Sequence, residues 1–334
     1  MQEIDFVVLW VDGNDPAWQA DKARFSATKD TDVRPNRYRD WDNLQYWFRG
    51  VEKFAPWVRT IHFVTWGHLP SWLDVSNPKL HIVNHRDFIP NECLPTFNTN
   101  PIELNIHRIP GLSEGFVYFN DDMFLTAPVS PEDFVQDGKP VERLLFDAIA
   151  PGNETLNAIL YNNMKCINHY FAKEDLKKNH RKELFSLRYG KGLIFNLLLY
   201  PWKRHTGFHS EHLPLYFTKS TYEEVWDREE GLLYETTTHK FRSESDVSAW
   251  LMRYWSLAQG NIVPASAGRG RYISATEAPI EAVTGMIQSG KYKMICCNDT
   301  CDCPDFEERK QKVLQAFDYL LPERSSYELP EGGQ

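Results

Sequence analysis

The stretch GFVYFNDDMFL, residues 115–125, decides how the chain is read. Phe116, Val117, Tyr118 and Phe119 form a short apolar and aromatic run of high β-propensity, the pattern of a buried strand. The run breaks on Asn120, Asp121 and Asp122, and Met123, Phe124 and Leu125 resume it. Adjacent carboxylates between hydrophobic runs are poorly explained by folding, because an unpaired buried charge is destabilising by several kcal/mol. They suit the C-terminal end of a strand, where open α/β sheets place their ligands. Hard carboxylate oxygens there would bind Mg²⁺ or Mn²⁺ bridging to nucleotide phosphates. The plain alternative is an Asx-turn, in which the Asp side chains bond local backbone N–H groups.

Upstream, the near-continuous apolar run IDFVVLWV (4–11) and the shorter IHFVT (61–65) and LHIVN (80–84) read as strands covered on both faces. The first ends in DGNDP, a turn rich in acceptors. Either it simply closes the strand, or Asp12 and Asp15 face a ligand above the sheet edge, with Gly13 allowing close backbone approach. Helix-compatible stretches run over 18–29 and 40–53, on either side of the loop RPNR (34–37). In the second, Leu44, Trp47, Phe48 and Val51 recur at helical spacing and leave Arg39, Asn43 and Arg49 on other faces. A helix over 101–109 carries Glu103, His107 and Arg108, with Glu103 and His107 on one face at i, i+4. His107 and Arg108 belong either to a structural network or to the site. Strands alternating with helices predict an α/β fold, a mostly parallel Rossmann-like sheet over residues 1–135.

Beyond about residue 131 the pattern turns helical, over 153–170, 218–226, 245–259 and 306–321, the last stopped by Pro322. Residues 136–334 are thus expected to form a mainly helical second region packed on the core. The loop at 207–214 concentrates His209 and His212. The basic stretch 173–191 is either a solvated face or a contact for an anionic acceptor or membrane surface.

The totals narrow the class. A chain of 334 residues with 42% hydrophobic content has enough apolar mass for a large core. Its 37 basic and 46 acidic residues leave a net charge of −9, which argues against nucleic acid as a general partner. Aromatics at 14% are high enough to line a sugar or base site, although they also simply pack. No signal peptide is recognisable, and no apolar run approaches the roughly 20 residues of a spanning helix. The expectation is a soluble cytoplasmic protein, at most peripheral to a membrane. Four of the six cysteines crowd into 296–303 without paired zinc-knuckle spacing, which favours free thiols over a metal site.

Longer blocks carry a resemblance. VVLWVDGNDPAW (7–18), RYRDWDNLQYWFRGVEKFAPWVRTIHFVTWGHLPSWL (37–73), LPTFNTNPIELNIHRIPGLSEGFVYFNDDMFL (94–125), GFHSEHLPLYF (207–217) and CCNDT (296–300) resemble the ordered blocks of the Stealth family. These are bacterial capsular and exopolysaccharide hexose-phosphate transferases, related to the animal N-acetylglucosamine-1-phosphotransferase that tags lysosomal enzymes. The resemblance implies that sugar-1-phosphate passes from a UDP-sugar donor, such as UDP-N-acetylglucosamine, to a hydroxyl of a saccharide or polysaccharide acceptor, releasing UMP. It implies Asp121 and Asp122 as the metal-binding acidic pair and Asp122, Glu103, His212 and Arg242 as catalytic residues. Trp10, Asp12 and Gly13 match the nucleotide-side block, and Arg39, Asn43, His107 and Arg108 complete the expected substrate-binding set. The closing block here is richer in thiols than the family pattern requires.

Two other classes compete. An ordinary metal-dependent glycosyltransferase would also use a strand-end acidic pair but would release UDP. A non-catalytic saccharide-binding module would use the aromatics alone, and has no need of His212, Arg242 and a carboxylate pair together.

Overall fold

Every residue of β1 (Ile4–Leu9) is buried, because the strand is covered on both faces. Phe6, Val8 and Trp10 point into one hydrophobic core and Val7 and Leu9 into another, the period-2 alternation of a strand. The structure, a computed structural model, describes residues 3–26, 39–150, 152 and 154–330. The expected loop at 34–37, and the helix ends expected at Lys29 and Asn153, lie outside the described residues.

After β1 come α1 (Pro16–Phe25), α2 (Leu44–Phe54), β2 (Ile61–Thr65) and β3 (Leu80–Asn84). Helix α3 (Thr99–Asn105) precedes β4 (Gly115–Phe119) and β5 (Met123–Leu125), followed by the short β6 (Val135–Gln136) and β7 (Lys139–Glu142). Four helices follow: α4 (Thr155–Tyr170), α5 (Lys173–Asn179), α6 (Arg181–Leu184) and α7 (Leu193–Leu199). Next are β8 (Leu215–Thr218), α8 (Lys219–Thr238), α9 (Trp250–Ala258) and β9 (Val263–Pro264). The described chain closes with β10 (Gly270–Ser274), α10 (Ile280–Ser289), β11 (Met294–Asn298) and α11 (Phe306–Leu320).

The central sheet has the order β3-β2-β1-β4-β8. Its first four strands are parallel and β8 is an antiparallel edge. The chain runs outward from β1 through β2 to β3 and then returns to the other side of β1. The order therefore reverses between β1 and β4, and such a switch point opens a crevice at the C-terminal strand ends. Residues after 135 do not stand apart from this sheet: β8 completes it, and β10 and β11 join β5 in a second sheet of order β10-β11-β5. Helices α2, α10 and α11 cover one face with that second sheet, while α3, α4, α8 and α9 cover the other. Gly50 lets α2 approach β5 closely, since a Cβ there would lie 2.9 Å from the Leu125 carbonyl oxygen.

At the opposite, N-terminal edge the sheet is tied together by Asp5, which is fully buried. Arg59 donates to both its oxygens at 2.8 and 2.6 Å, the Ser113 N–H donates at 2.7 Å, and His62 Nε2 lies 3.0 Å away. Burial alone would raise the Asp5 pKa, but these hydrogen bonds reverse the effect and hold it well below the usual carboxylate range. Asp5→Asn leaves Arg59 without its charged partner and should destabilise the fold by about 3 kcal/mol in urea unfolding at neutral pH. Because the folded pKa is depressed, the stabilisation is present above the ordinary value of 3.8. The gap between wild type and variant should narrow as pH falls below it.

Candidate active site

Residues 120–122 break the strand because the chain changes sheets there: β4 belongs to the central sheet and β5 to the second one. The break lies at the C-terminal end of β4, beside β1, in the switch-point crevice. Asp122 is held by β11. Its carbonyl accepts the Cys297 N–H at 2.9 Å, and its Oδ2 accepts from Asn298 Nδ2 at 3.0 Å and from the Cys296 thiol at 3.3 Å. Burial, and next the Asp122 charge, push the Cys296 thiol pKa well up, so it stays a protonated donor. Cys296 and Cys297 are interior strand residues, and all six cysteines are free.

Asp122 Oδ1 is buried and has no hydrogen-bond partner among the described residues. Asp121 stands exposed at the loop tip. The protein packed around the loop, then the neighbouring Asp122 and Asp40 carboxylates, push its pKa up. An orphaned carboxylate oxygen beside repelling like charges is what a divalent cation would satisfy, so the acidic pair fits the metal expected of it. Ligand atoms of Asp122, His212 and Cys296 also lie within 4.8 Å of one another.

His212 comes to this point from the loop before β8. Its backbone is left-handed, φ +48°, a conformation unusual for a residue with a Cβ and found where surrounding contacts enforce it. Those contacts are visible. Buried Arg253 donates to Glu142 at 2.9 Å and to the His209 carbonyl at 3.0 Å, and Arg143 pairs with Glu211. The imidazole lies edge-on to Trp250 and Tyr272, its Nε2 3.8 Å from Asp122 Oδ2 and 3.4 Å from Asn298 Nδ2. Burial acts to lower the His212 pKa, but the nearby Asp122 carboxylate, helped by the Glu103 charge, raises it above its ordinary 6.5. His209 is placed differently, stacked on Phe195 and 3.7 Å from Asp147.

Glu103 on α3 receives the Tyr118 hydroxyl at 2.8 Å, and the same hydroxyl contacts Asn120 at the start of the acidic break. Burial raises the Glu103 pKa, against the opposing charges of Arg242 and His212, which places all three in one electrostatic neighbourhood. Arg242 donates to Thr99 at 3.0 Å. Its loop is fixed by buried Asp246, which accepts from Asn98 and Asn100 at 2.8 and 2.9 Å and from Ser243 N–H at 3.1 Å. His239 approaches the other Asp246 oxygen at 2.5 Å. The amides of NTNP (98–101) are the sequence trace of this support, and Asp246 carries no local signal.

The remaining expected residues sit in structural contacts. Trp10 is buried against Phe63, edge-on to His68. Asp12 accepts from Asn14 N–H at 2.8 Å in an Asx-turn, and its own N–H donates to His68 at 2.8 Å. The Gly13 carbonyl accepts from Gln19 in the same turn. Arg39 binds Asp299 with two donors, at 2.7 and 2.9 Å, and lies over Phe306, tying the closing block to the core. Asn43 is buried at the start of α2. His107 stacks on Tyr222, where burial lowers its pKa to about 3, and Arg108 covers Trp226. Asp122 and His212 are therefore in contact, with Glu103 and Arg242 electrostatically linked to them. Asp40 and Asn298 are additions that the sequence pattern did not mark.

A switch-point crevice, a strand-end acidic pair and a loop histidine together form a candidate active site on a mostly parallel α/β sheet. Three family signatures match in order: Stealth protein conserved region 1 over residues 2–30, conserved region 2 over 37–142 and conserved region 4 over 285–334. The chain is 42% identical to capsular polysaccharide phosphotransferase WcwK of Streptococcus pneumoniae, and equally so to receptor polysaccharide phosphotransferase WefC of Streptococcus oralis. Each match covers 98% of this chain and 100% of the relative. Exopolysaccharide phosphotransferase cps2G of Lactiplantibacillus plantarum is 39% identical over 98% of this chain and 96% of its own. The chain belongs to the Stealth family.

The geometry makes a direct claim about His212. In an NMR titration its midpoint should lie above pH 6.5, and Asp122→Asn, which removes the carboxylate but not the burial, should bring it below 6.5. A midpoint unmoved by that substitution would detach His212 from Asp122.

Proposed function

We propose that this chain transfers sugar-1-phosphate from a UDP-sugar, of the UDP-N-acetylglucosamine type, to a saccharide hydroxyl in capsule or exopolysaccharide synthesis. The observation that carries the reading is the approach of His212 Nε2 to 3.8 Å from Asp122 Oδ2, while Asp122 Oδ1 has no partner among the described residues. One oxygen of Asp122 then serves the imidazole and the other is free for a cation. Its relatives are named polysaccharide phosphotransferases, and membership of their family makes this chain a phosphotransferase.

In this reading the acceptor hydroxyl oxygen bonds to the β-phosphorus, the bond from that phosphorus to the bridging oxygen breaks, and UMP leaves. Neutral His212 takes the hydroxyl proton at Nε2, and Asp122 stabilises the imidazolium that forms. Asn298 keeps the Asp122 carboxylate in the orientation that meets the ring. Arg242, steadied by Thr99 and the Asp246 network, supplies positive charge to the phosphoryl oxygens. Asp121 and Asp122 would hold Mg²⁺ or Mn²⁺, which supplies charge neutralisation at the diphosphate when bound. Glu103 and Tyr118 brace the break beneath them.

A donor labelled in its β-phosphorus tests the reaction. The label should appear in a phosphodiester product with UMP released, and label recovered in UDP would mean glycosyl transfer instead. Asp122→Asn, which keeps the side chain's shape, should abolish turnover with little change in melting temperature, as should excess EDTA. Near-normal activity of that variant would remove the acidic pair from the mechanism.

A further inference from the structure

Helix α7 is built inside out. In the run LIFNLLL its polar residue, Asn196, is fully buried, whereas Ile194, Phe195, Leu197 and Leu198 are 50%, 46%, 57% and 62% exposed. Leu187 and Trp202 extend this surface at 87% and 54%. The arrangement is rigid. Asn196 accepts the Phe146 N–H at 2.7 Å and donates to the Leu144 and Leu184 carbonyls at 2.8 and 2.6 Å. Buried Lys173 donates at 2.6 Å to the Leu199 carbonyl at the end of the helix. Soluble surface helices face the other way, and an apolar patch of this kind marks an interaction site.

The surroundings identify what covers it. Residues 173–204 carry nine Lys and Arg against three Asp and Glu, in a protein whose net charge is −9. Arg181, Lys182, Lys203 and Arg204, in the segments that flank α7 along the chain, are exposed. Two copies meeting through this face would bring two positive rims together, which disfavours a dimer. An anionic bilayer offers negative headgroups directly above an apolar interior, and the combination of basic residues, Leu, Phe and an interfacial Trp matches it. No helix among the described residues is long and apolar enough to cross a membrane, so the contact would be peripheral.

We propose that the Leu187–Trp202 face docks the protein on an anionic lipid surface. Phe195 stacks on His209, three residues before His212, so docking sets the active-site loop beside the bilayer. The test is flotation of the full chain with vesicles of phosphatidylglycerol and phosphatidylcholine, and with phosphatidylcholine alone. Wild type should float with the first, increasingly so at low salt, and poorly with the second. Leu197→Glu with Leu198→Glu, and separately Arg181→Glu with Lys182→Glu, should each weaken the partition by about tenfold or more. The charge pair lies outside α7 at exposed positions, so it decides the matter even where the leucine pair misfolds. Absence of wild-type flotation, or flotation unchanged in the charge variant, would overturn the proposal. So would a wild-type dimer in solution that Leu197→Glu with Leu198→Glu dissociates.

Discussion

A single backbone hydrogen bond, from Cys297 N–H to the Asp122 carbonyl at 2.9 Å, joins the two halves of the chain where the chemistry is placed. It continues the pairing of β11 with β5 one step beyond the strand, into the acidic break. Without it the Asn120–Asp122 turn would be an exposed loop at a sheet end. With it, Asn298 and Cys296 are brought onto one carboxylate oxygen, while the other has no hydrogen-bond partner among the described residues. The closing block is therefore the wall that orients Asp122, and its buried thiols are packing groups with one weak donor among them.

The histidine side of the site depends on a second constraint. A left-handed histidine is maintained only if its neighbours over-determine it, and the buried Glu142–Arg253 pair does this by gripping the His209 carbonyl. Arg269 adds a second cation to Glu142 at 3.4 Å, so burial of that carboxylate is compensated twice. On the far side of the site, Asp246 gathers Asn98, Asn100 and Ser243 and fixes the Arg242 loop against α3. Both charged loops are thus set by buried polar networks, which specify position more sharply than apolar packing does.

Much of the fold was legible because parallel strands covered on both faces appear as apolar runs. IHFVT coincides with fully buried β2, LHIVN with β3, which lies at the sheet edge and is buried only at Val83, and the 306–321 helix with α11 to within one residue. The position of NDD at the end of a strand was also legible, since a charged break between apolar runs has few structural explanations. The partner of that break was not. Cys296 and Cys297 drew attention as thiols, and nothing local to MICCN announces pairing with a strand about 170 residues earlier. For the same reason nothing in LPLYF announces β8, the strand that completes the sheet beyond residue 135. Asp12 takes up the turn contact that one of its two readings supplies, its Oδ1 accepting the Asn14 N–H, and nothing local to DGNDP tells the readings apart. Arg39 is likewise engaged with Asp299, a contact that no spacing rule foretells.

The central claim is that the Asp122–His212 couple moves the proton of the acceptor hydroxyl. The measurement that addresses it most directly is the pH dependence of kcat for wild type and His212→Ala. A base whose pKa is raised by Asp122 loses activity as pH falls, so wild type should show an acidic limb centred above pH 6.5. His212→Ala should lower kcat by about 10²–10⁴-fold and abolish that limb, while His209→Ala keeps it. A His212→Ala enzyme that retains the limb with only a modest loss would contradict the account and move the proton to Glu103.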